Sequence, residues 1–143
     1  MKWVTREKVK VDRVACPWLI RRFIDPEAEF IFVPAGKVLE TAERENAVSF
    51  DAPDARYTHS DGKCSFEVLI DEYQLSALGL ACLSHIVHGA DIAEDIIQTE
   101  ESAGLKALAE GFQLICRDDF EALEKQWPVY DALLAWCAAQ PQS

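Results

Sequence analysis

Val11-Asp12-Arg13-Val14-Ala15-Cys16-Pro17-Trp18-Leu19-Ile20-Arg21-Arg22-Phe23-Ile24-Asp25 is the stretch on which the reading of the fold turns. Proline favours the first position of a helix, where its missing N–H is not needed. The spacing therefore predicts a helix over residues 17–25, with Cys16 at its N-cap and Leu19, Ile20, Phe23 and Ile24 as its apolar face. Asp25-Pro26 ends it, because the residue before a proline avoids helical angles. A thiol at the N-cap feels the positive end of the helix dipole and the nearby guanidinium groups, and both favour thiolate. That makes Cys16 the candidate catalytic residue. Arg13, Arg21 and Arg22 offer planar forks for an oxyanion. Arg21, four residues after Pro17 and three after Trp18, is expected to reach the Cys16 end. The alternative is a helix with a buried apolar face and a solvated basic one.

Outward from this stretch, Trp3-Val4-Thr5 reads as a short edge strand and Glu29–Pro34 as a dense apolar strand. Lys37–Asn46 has helical composition, and Ala47–Asp51 reads as a further strand. Ala52–Lys63, with its Pro, Asp, Ser and Gly, is turn and loop, with room for a strand at Ala55–His59. Beyond Cys64 the period becomes helical. Ser65 caps a helix over 66–73, and a second runs from about Ser76 past Val87. A third opens at Thr99–Ser102 and a fourth at Asp118-Asp119. Pro128 kinks the fourth or starts a separate helix, and the tail Gln140–Ser143 is expected to fray. The expected fold is α/β (α+β) and helix-rich: a small N-terminal sheet with helices, then an all-helical C-terminal half, in a single domain of residues 1–143.

The chain has 143 residues, half of them apolar, with 14 basic against 25 acidic groups and a net charge of −11. This excess repels phosphate backbones, so no nucleic acid is expected to bind through this domain alone. Lys2, Arg6, Lys8, Lys10, Arg13, Arg21 and Arg22 supply half of the basic groups within the first 22 positions. They form a local positive patch suited to a small anion or an acidic partner. No apolar run is long enough to span a bilayer, and residues 1–8 lack the apolar core of a signal peptide, so a cytoplasmic protein with no membrane partner is expected. Five cysteines, none at CxxC spacing, indicate neither a disulfide framework nor a zinc ribbon. Cys82, Cys116 and Cys137 read as buried fillers of helices.

The three histidines fall in two segments. His59, Cys64 and Glu67 lie where a loop enters a helix, and His85, His88 and Asp91 recur at spacings of three on a later one. Imidazole with carboxylate is a ligand set for zinc, iron or manganese. The candidate site for such a divalent transition metal is His59, Glu67, His88 and Asp91, with Asp12 or Cys64 as neighbours. The alternative is a polar helix face beside a loop histidine.

At these residues the chain resembles a known family. Residues 11–25, then Cys64-Ser65-Phe66-Glu67, Ile86-Val87-His88-Gly89-Ala90-Asp91 and Tyr130-Asp131-Ala132-Leu133, are similar to the bacterial chromate-resistance family, specifically its ChrB-type C-terminal domain. The resemblance runs over nearly the whole chain. It implies a role in chromate resistance, encoded beside a chromate efflux transporter, in a family described as chromate-responsive regulators. It also implies, in some relatives, fusion to a rhodanese-like sulfurtransferase domain. Relatives carry a histidine after the Asp118-Asp119 pair where this chain has Phe120. The expected function is a cytoplasmic domain that binds a metal ion, a small oxyanion such as chromate, or both, in sensing or detoxification under metal stress. A homo-oligomer or a sulfurtransferase is the expected protein partner. A metal-dependent hydrolase or a sulfur/redox enzyme recruited to metal stress is the competing reading, and a non-catalytic interaction domain is the third.

Overall fold

The structure is a computed structural model that describes residues 1–141; Gln142 and Ser143, half of the tail expected to fray, lie outside the described residues. Three strands, β1 (Lys2–Arg6), β2 (Glu29–Val33) and β3 (Val48–Ser49), form a parallel sheet in the order β2-β1-β3. Trp3 aligns with Phe30 on one side and Val48 on the other. Trp3-Val4-Thr5 is therefore the central strand and not an edge. Its polar neighbours Lys2 and Arg6 suggest a short edge, but Val4 and Thr5 are wholly buried. A central parallel strand is covered on both faces and needs no alternation of apolar and polar residues.

The two faces of β1 carry two layers. Trp3 joins the main core with Trp18, Leu19, Phe66, Leu83 and Tyr130, which spans the sheet and the helical half. Val4 points the other way, into a small cluster with Val38, Ala52 and Ala55 beneath α2 (Val38–Glu45). α2 ends at Asn46, whose left-handed backbone (φ 53°) turns the chain into β3. Between Phe50 and Tyr57 only a single bridge forms, so Ala55–His59 is loop and not strand.

The helix of the decisive stretch starts earlier than Pro17 predicts. α1 spans Asp12–Leu19 and runs into a π turn at Ile20–Ile24, closed by Asp25 N donating to Ile20 O at 2.7 Å. Pro17 thus sits inside the helix, and Cys16 is an interior residue rather than the N-cap. The start is set by Val11, whose φ of 33° breaks the chain direction, and by the buried Asp12 that follows it. Pro17 is tolerated because the helix is short and passes within one turn into the wider π geometry.

The C-terminal half is helical: α3 (Ser65–Glu72), α4 (Leu80–Asp91), a 3-10 segment (Ala93–Gln98), α5 (Glu101–Ile115) and α6 (Asp119–Ala139). α6 continues through Pro128 without a break. It crosses α1, where Trp18 Nε1 donates to Asp131 Oδ1 at 2.8 Å and the Trp18 and Tyr130 rings lie 5.9 Å apart. It also crosses α4, where Cys82 and Cys137 are joined as a disulfide. The odd cysteine count hides this pair, which only the packing of α4 on α6 brings together. No helix among the described residues is long and apolar enough to cross a membrane.

Gly79 caps α4 with φ 87°, and a Cβ there would meet the Ala138 backbone nitrogen at 2.7 Å and the Leu134 carbonyl at 2.9 Å. Gly79→Ala combines left-handed strain with overpacking against backbone that has no side chain to move aside. It is expected to destabilise the fold by about 1–3 kcal/mol. Thermal unfolding measures this; an unchanged midpoint would refute the close crossing of α4 and α6.

Candidate functional site

The strand order places β1 between its two successors, so the chain leaves β1 towards β2 and returns past it to β3. In such parallel sheets the crevice at the carboxyl ends of the strands, where the direction of winding reverses, is where ligands bind. Arg6 ends β1 and Asp51 follows β3 by two residues, so both stand at that edge. A cleft of about 290 Å³ opens there, with Arg6, Arg13, Asp51, His59, Asp91 and Lys106 in its lining.

Asp12, wholly buried in the first turn of α1, lies beneath the lining, behind His59. Its Oδ2 accepts from Ser65 N at 2.7 Å and its Oδ1 from Phe66 N at 3.1 Å, so it satisfies the first amides of α3. Asp51 has a left-handed backbone (φ 44°), held by Arg6 Nε donating to its carbonyl at 2.9 Å and Ser65 Oγ donating to its Oδ1 at 2.7 Å. Arg56 N and Tyr57 N donate to Ser49, at 2.8 and 3.2 Å, and tie the following loop to β3. That loop delivers His59. Its Nε2 lies 3.3 Å from Asp12 Oδ2, 3.4 Å from Asp51 Oδ1 and 3.0 Å from Asp91 Oδ2. Three carboxylates thus converge on one ring nitrogen. Donor atoms of Asp12, His59 and Asp91 lie within 4.8 Å of one another, the span of a metal site.

The electrostatics follow from this crowding. Burial and the charge of Asp51 push the Asp12 carboxyl up to about 7. Burial and Asp51 likewise raise Asp91. Burial opposes ionisation of Asp51 too, but His59, Ser65, Arg13 and Arg6 outweigh it and hold that carboxyl below its usual range. Hydrogen bonds to Asp12 and Asp51 raise His59 to about 10. Arg6 Nη2 and Arg13 Nε stand 3.5 and 3.6 Å from Asp51 Oδ2, and Arg13 Nε is buried with no hydrogen-bond acceptor.

The four ligands expected from the sequence therefore divide. His59 and Asp91 share the cleft, whereas Glu67 and His88 form a second group with Cys64. The physical reason is the α-helical step on α4: three residues fall about 60° short of a full turn. His88 and Asp91 thus point to neighbouring places. His88 Nδ1 is 2.5 Å from Glu67 Oε1 and its Nε2 is 2.6 Å from Asp95 Oδ2. His85 is exposed and belongs to neither group.

The three arginines divide as well. Arg13 lines the cleft, while Arg21 and Arg22 line a separate aromatic groove with Phe30, Phe120 and Trp127. Arg21 donates to the Ala28 carbonyl and lies over the Phe30 and Trp127 rings, so it does not reach Cys16. Arg22 forks onto Asp131 at 2.8 and 3.1 Å. Cys16 has no exposure, and burial together with Asp12 pushes its thiol well above its ordinary value. The expectation of a thiolate at a helix N-terminus is thus corrected: the helix begins one turn earlier, with an acid in place of the thiol. Phe120 packs edge-on against Phe32 at 5.2 Å, away from the cleft.

Asp51, Asp95 and Lys106 are site residues that the sequence reading misses, whereas Arg6 and Lys10 belong to the positive patch it expects. Asp51 had a legible signal, an acid at the carboxyl end of a strand; Asp95 and Lys106 come from helical turns whose packing no local pattern reveals.

Asp12→Ala would leave Ser65 N and Phe66 N buried without an acceptor, which costs about 1–3 kcal/mol. Asp12→Asn keeps one acceptor oxygen and loses the charge. It is expected to fold with a smaller loss, measured by chemical denaturation. Equal stability of the alanine variant and wild type would refute the capping role.

The family model "ChrB, C-terminal domain" matches residues 3–137. Protein ChrB of Cupriavidus metallidurans is 36% identical over 135 residues, which cover 92% of this chain and 39% of that protein, so the chain spans about two fifths of its relative's length. No solved structure matches. With a match over nearly every residue that builds the sheet, the cleft and the helical half, the chain belongs to the family of ChrB C-terminal domains.

Proposed function

We propose that the cleft binds a divalent transition-metal ion through Asp12, His59 and Asp91, and that its cationic rim holds a small oxyanion beside it. One observation carries this reading: three carboxylates and an imidazole converge at the floor of a cleft whose wall carries Arg6, Lys10, Arg13 and Lys106. Carboxylate oxygens with one imidazole nitrogen suit manganese, iron(II) or zinc. Buried carboxylates this close repel one another, and a cation relieves that repulsion better than one protonated imidazole. Arg13 Nε is buried 3.6 Å from Asp51 Oδ2, beyond hydrogen-bond reach, and is a donor that an oxyanion could satisfy. When bound, the ion adds positive charge for the anion. Resistance to chromate, which the resemblance implies, makes chromate the oxyanion to try first, with sulfate as its tetrahedral counterpart.

Elemental analysis and calorimetric titration test the reading. His59→Ala, at a half-exposed side chain, should fold and lose the cleft ion. Arg13→Lys keeps the charge and loses the fork, and should weaken chromate binding to the metal-loaded protein about tenfold, the worth of one charge-assisted hydrogen bond. Unchanged metal content in His59→Ala, or no anion binding by metal-loaded wild type at low salt, would overturn it.

The pH dependence has a definite sign. A cation on Nε2 displaces the His59 proton, held up to about 10 by Asp12 and Asp51. Below about 7 it also displaces a proton from Asp12. Metal affinity should therefore rise with pH, about tenfold per unit from 7 towards 10 and more steeply below 7. Titrations in buffers of different protonation enthalpy count the released protons; affinity independent of pH would contradict His59 as a ligand.

A further inference from the structure

The N-terminus of α3 separates two groups of ligand-type side chains, and the second has a different chemistry from the cleft. Cys64 stands immediately before α3 and Glu67 in its first turn, where Cys64 N donates to Glu67 Oε1 at 3.0 Å. His88 reaches them from α4. Sulfur, carboxylate oxygen and imidazole nitrogen lie within 4.8 Å of one another, with Cys64 wholly buried and His88 only 9% exposed. Behind His88, Asp95 Oδ2 takes the other ring nitrogen at 2.6 Å. A carboxylate on the far nitrogen fixes the ring and its tautomer, as it does for histidines that bind metals.

We propose that Cys64 Sγ, the Glu67 carboxylate and His88 Nδ1 hold a second, thiophilic divalent cation such as zinc, with Asp95 as the positioning residue. Three protein ligands of this mixed type leave a fourth tetrahedral position open. Ligand bonds of about 2.0–2.3 Å set neighbouring ligand atoms roughly 3.3–3.7 Å apart. The 2.5 Å contact between Glu67 and His88 therefore opens by about one ångström while the sulfur draws in. As the cation enters, the Nδ1 proton and the Cys64 thiol proton leave to solvent, and no oxidant or reductant is needed. Without an ion the same side chains form a histidine bridge between two carboxylates, so the deciding readout is the sulfur.

The inference rests on its own residues and shares none with the cleft. The probe is cobalt(II), whose bond to a thiolate gives a charge-transfer absorbance in the near ultraviolet that oxygen and nitrogen ligands do not. Wild type should bind two cobalt ions per chain and show the band. Cys64→Ser should bind one and lose it; serine is a favoured N-cap, so α3 should remain. His59→Ala should bind one and keep it. As a second route, Asp95→Asn should fold, keep the band and weaken the thiolate-bound cobalt about 10–100-fold. One cobalt with the band in wild type would sink the cleft reading and support this one. One cobalt without the band, or two in Cys64→Ser, would overturn this one.

Discussion

The Asp12 carboxylate is wholly buried and receives two backbone N–H groups from the start of α3, while His59 approaches it from a loop after β3. Two pieces of chain that are distant in sequence, α1 and the segment 59–66, thereby meet on one acid. The acid is costly to bury, and it is retained because amides, imidazole and the α3 dipole all favour it there. Without an acceptor at that point α3 would begin inside the protein with unsatisfied amides. Cys64 and Glu67, one turn away, would lose their fixed place opposite α4. Both candidate sites therefore depend on a single cap between two helices.

Strain marks the same place. Val11 is β-branched and sits at φ 33°, and Asp51 sits at φ 44°. For β-branched Val11 this is a genuine outlier, whereas aspartate enters the left-handed region more readily than most residues. Val11 is held by its burial, by the amides of Val14 and Ala15 donating to its carbonyl and by Tyr130 OH reaching it at 3.4 Å. Asp51 is held by Arg6, Ser65 and the amide link to Tyr57. Strained Val11 and left-handed Asp51 stand on one cleft wall, each fixed by several bonds, which suits a preorganised binding site; backbone strain such as that of Val11 gathers at functional sites. The sheet edge explains the location: β1 and β3 end there, and Arg6 at the end of β1 and Asp51, two residues after β3, line the opening.

Much of this was legible along the chain. The apolar run at Glu29–Val33, the helix signals at Asp118 and Thr99 and the helical composition up to Asn46 depend on local chemistry, which sequence states directly. The start of α1 was not legible, because Pro17 is a strong local signal for a helix start and the burial of Asp12 is a tertiary fact. The central place of β1 was hidden for a similar reason: three residues cannot reveal whether a strand is covered on one side or both. For the sites, residue types were readable and grouping was not. His59, Glu67, His88 and Asp91 all carry ligand chemistry, but the 60° offset between His88 and Asp91 and the intervening α3 send them to different clusters. The pairing of Cys82 with Cys137 across 55 residues depends wholly on the packing of α4 on α6.

Charge distribution completes the physical picture. A chain with a net charge of −11 presents at its cleft Arg6, Lys10, Arg13 and Lys106, three of them from the first thirteen residues. An acidic surface repels small anions at a distance, and these four cations, set among Asp51, Asp91 and Glu110, are the groups that counter that repulsion locally. Their attraction fades beyond about 10 Å at ordinary salt. The carboxylates at the floor work in the opposite sense, drawing a cation and rejecting a bare anion. In the function proposed for the cleft, rim and floor are compatible when both charges are present, the cation seated first and the anion after it. On that proposal anion binding is conditional on the metal, because the wholly buried Asp12 lies deeper than the arginines of the lining.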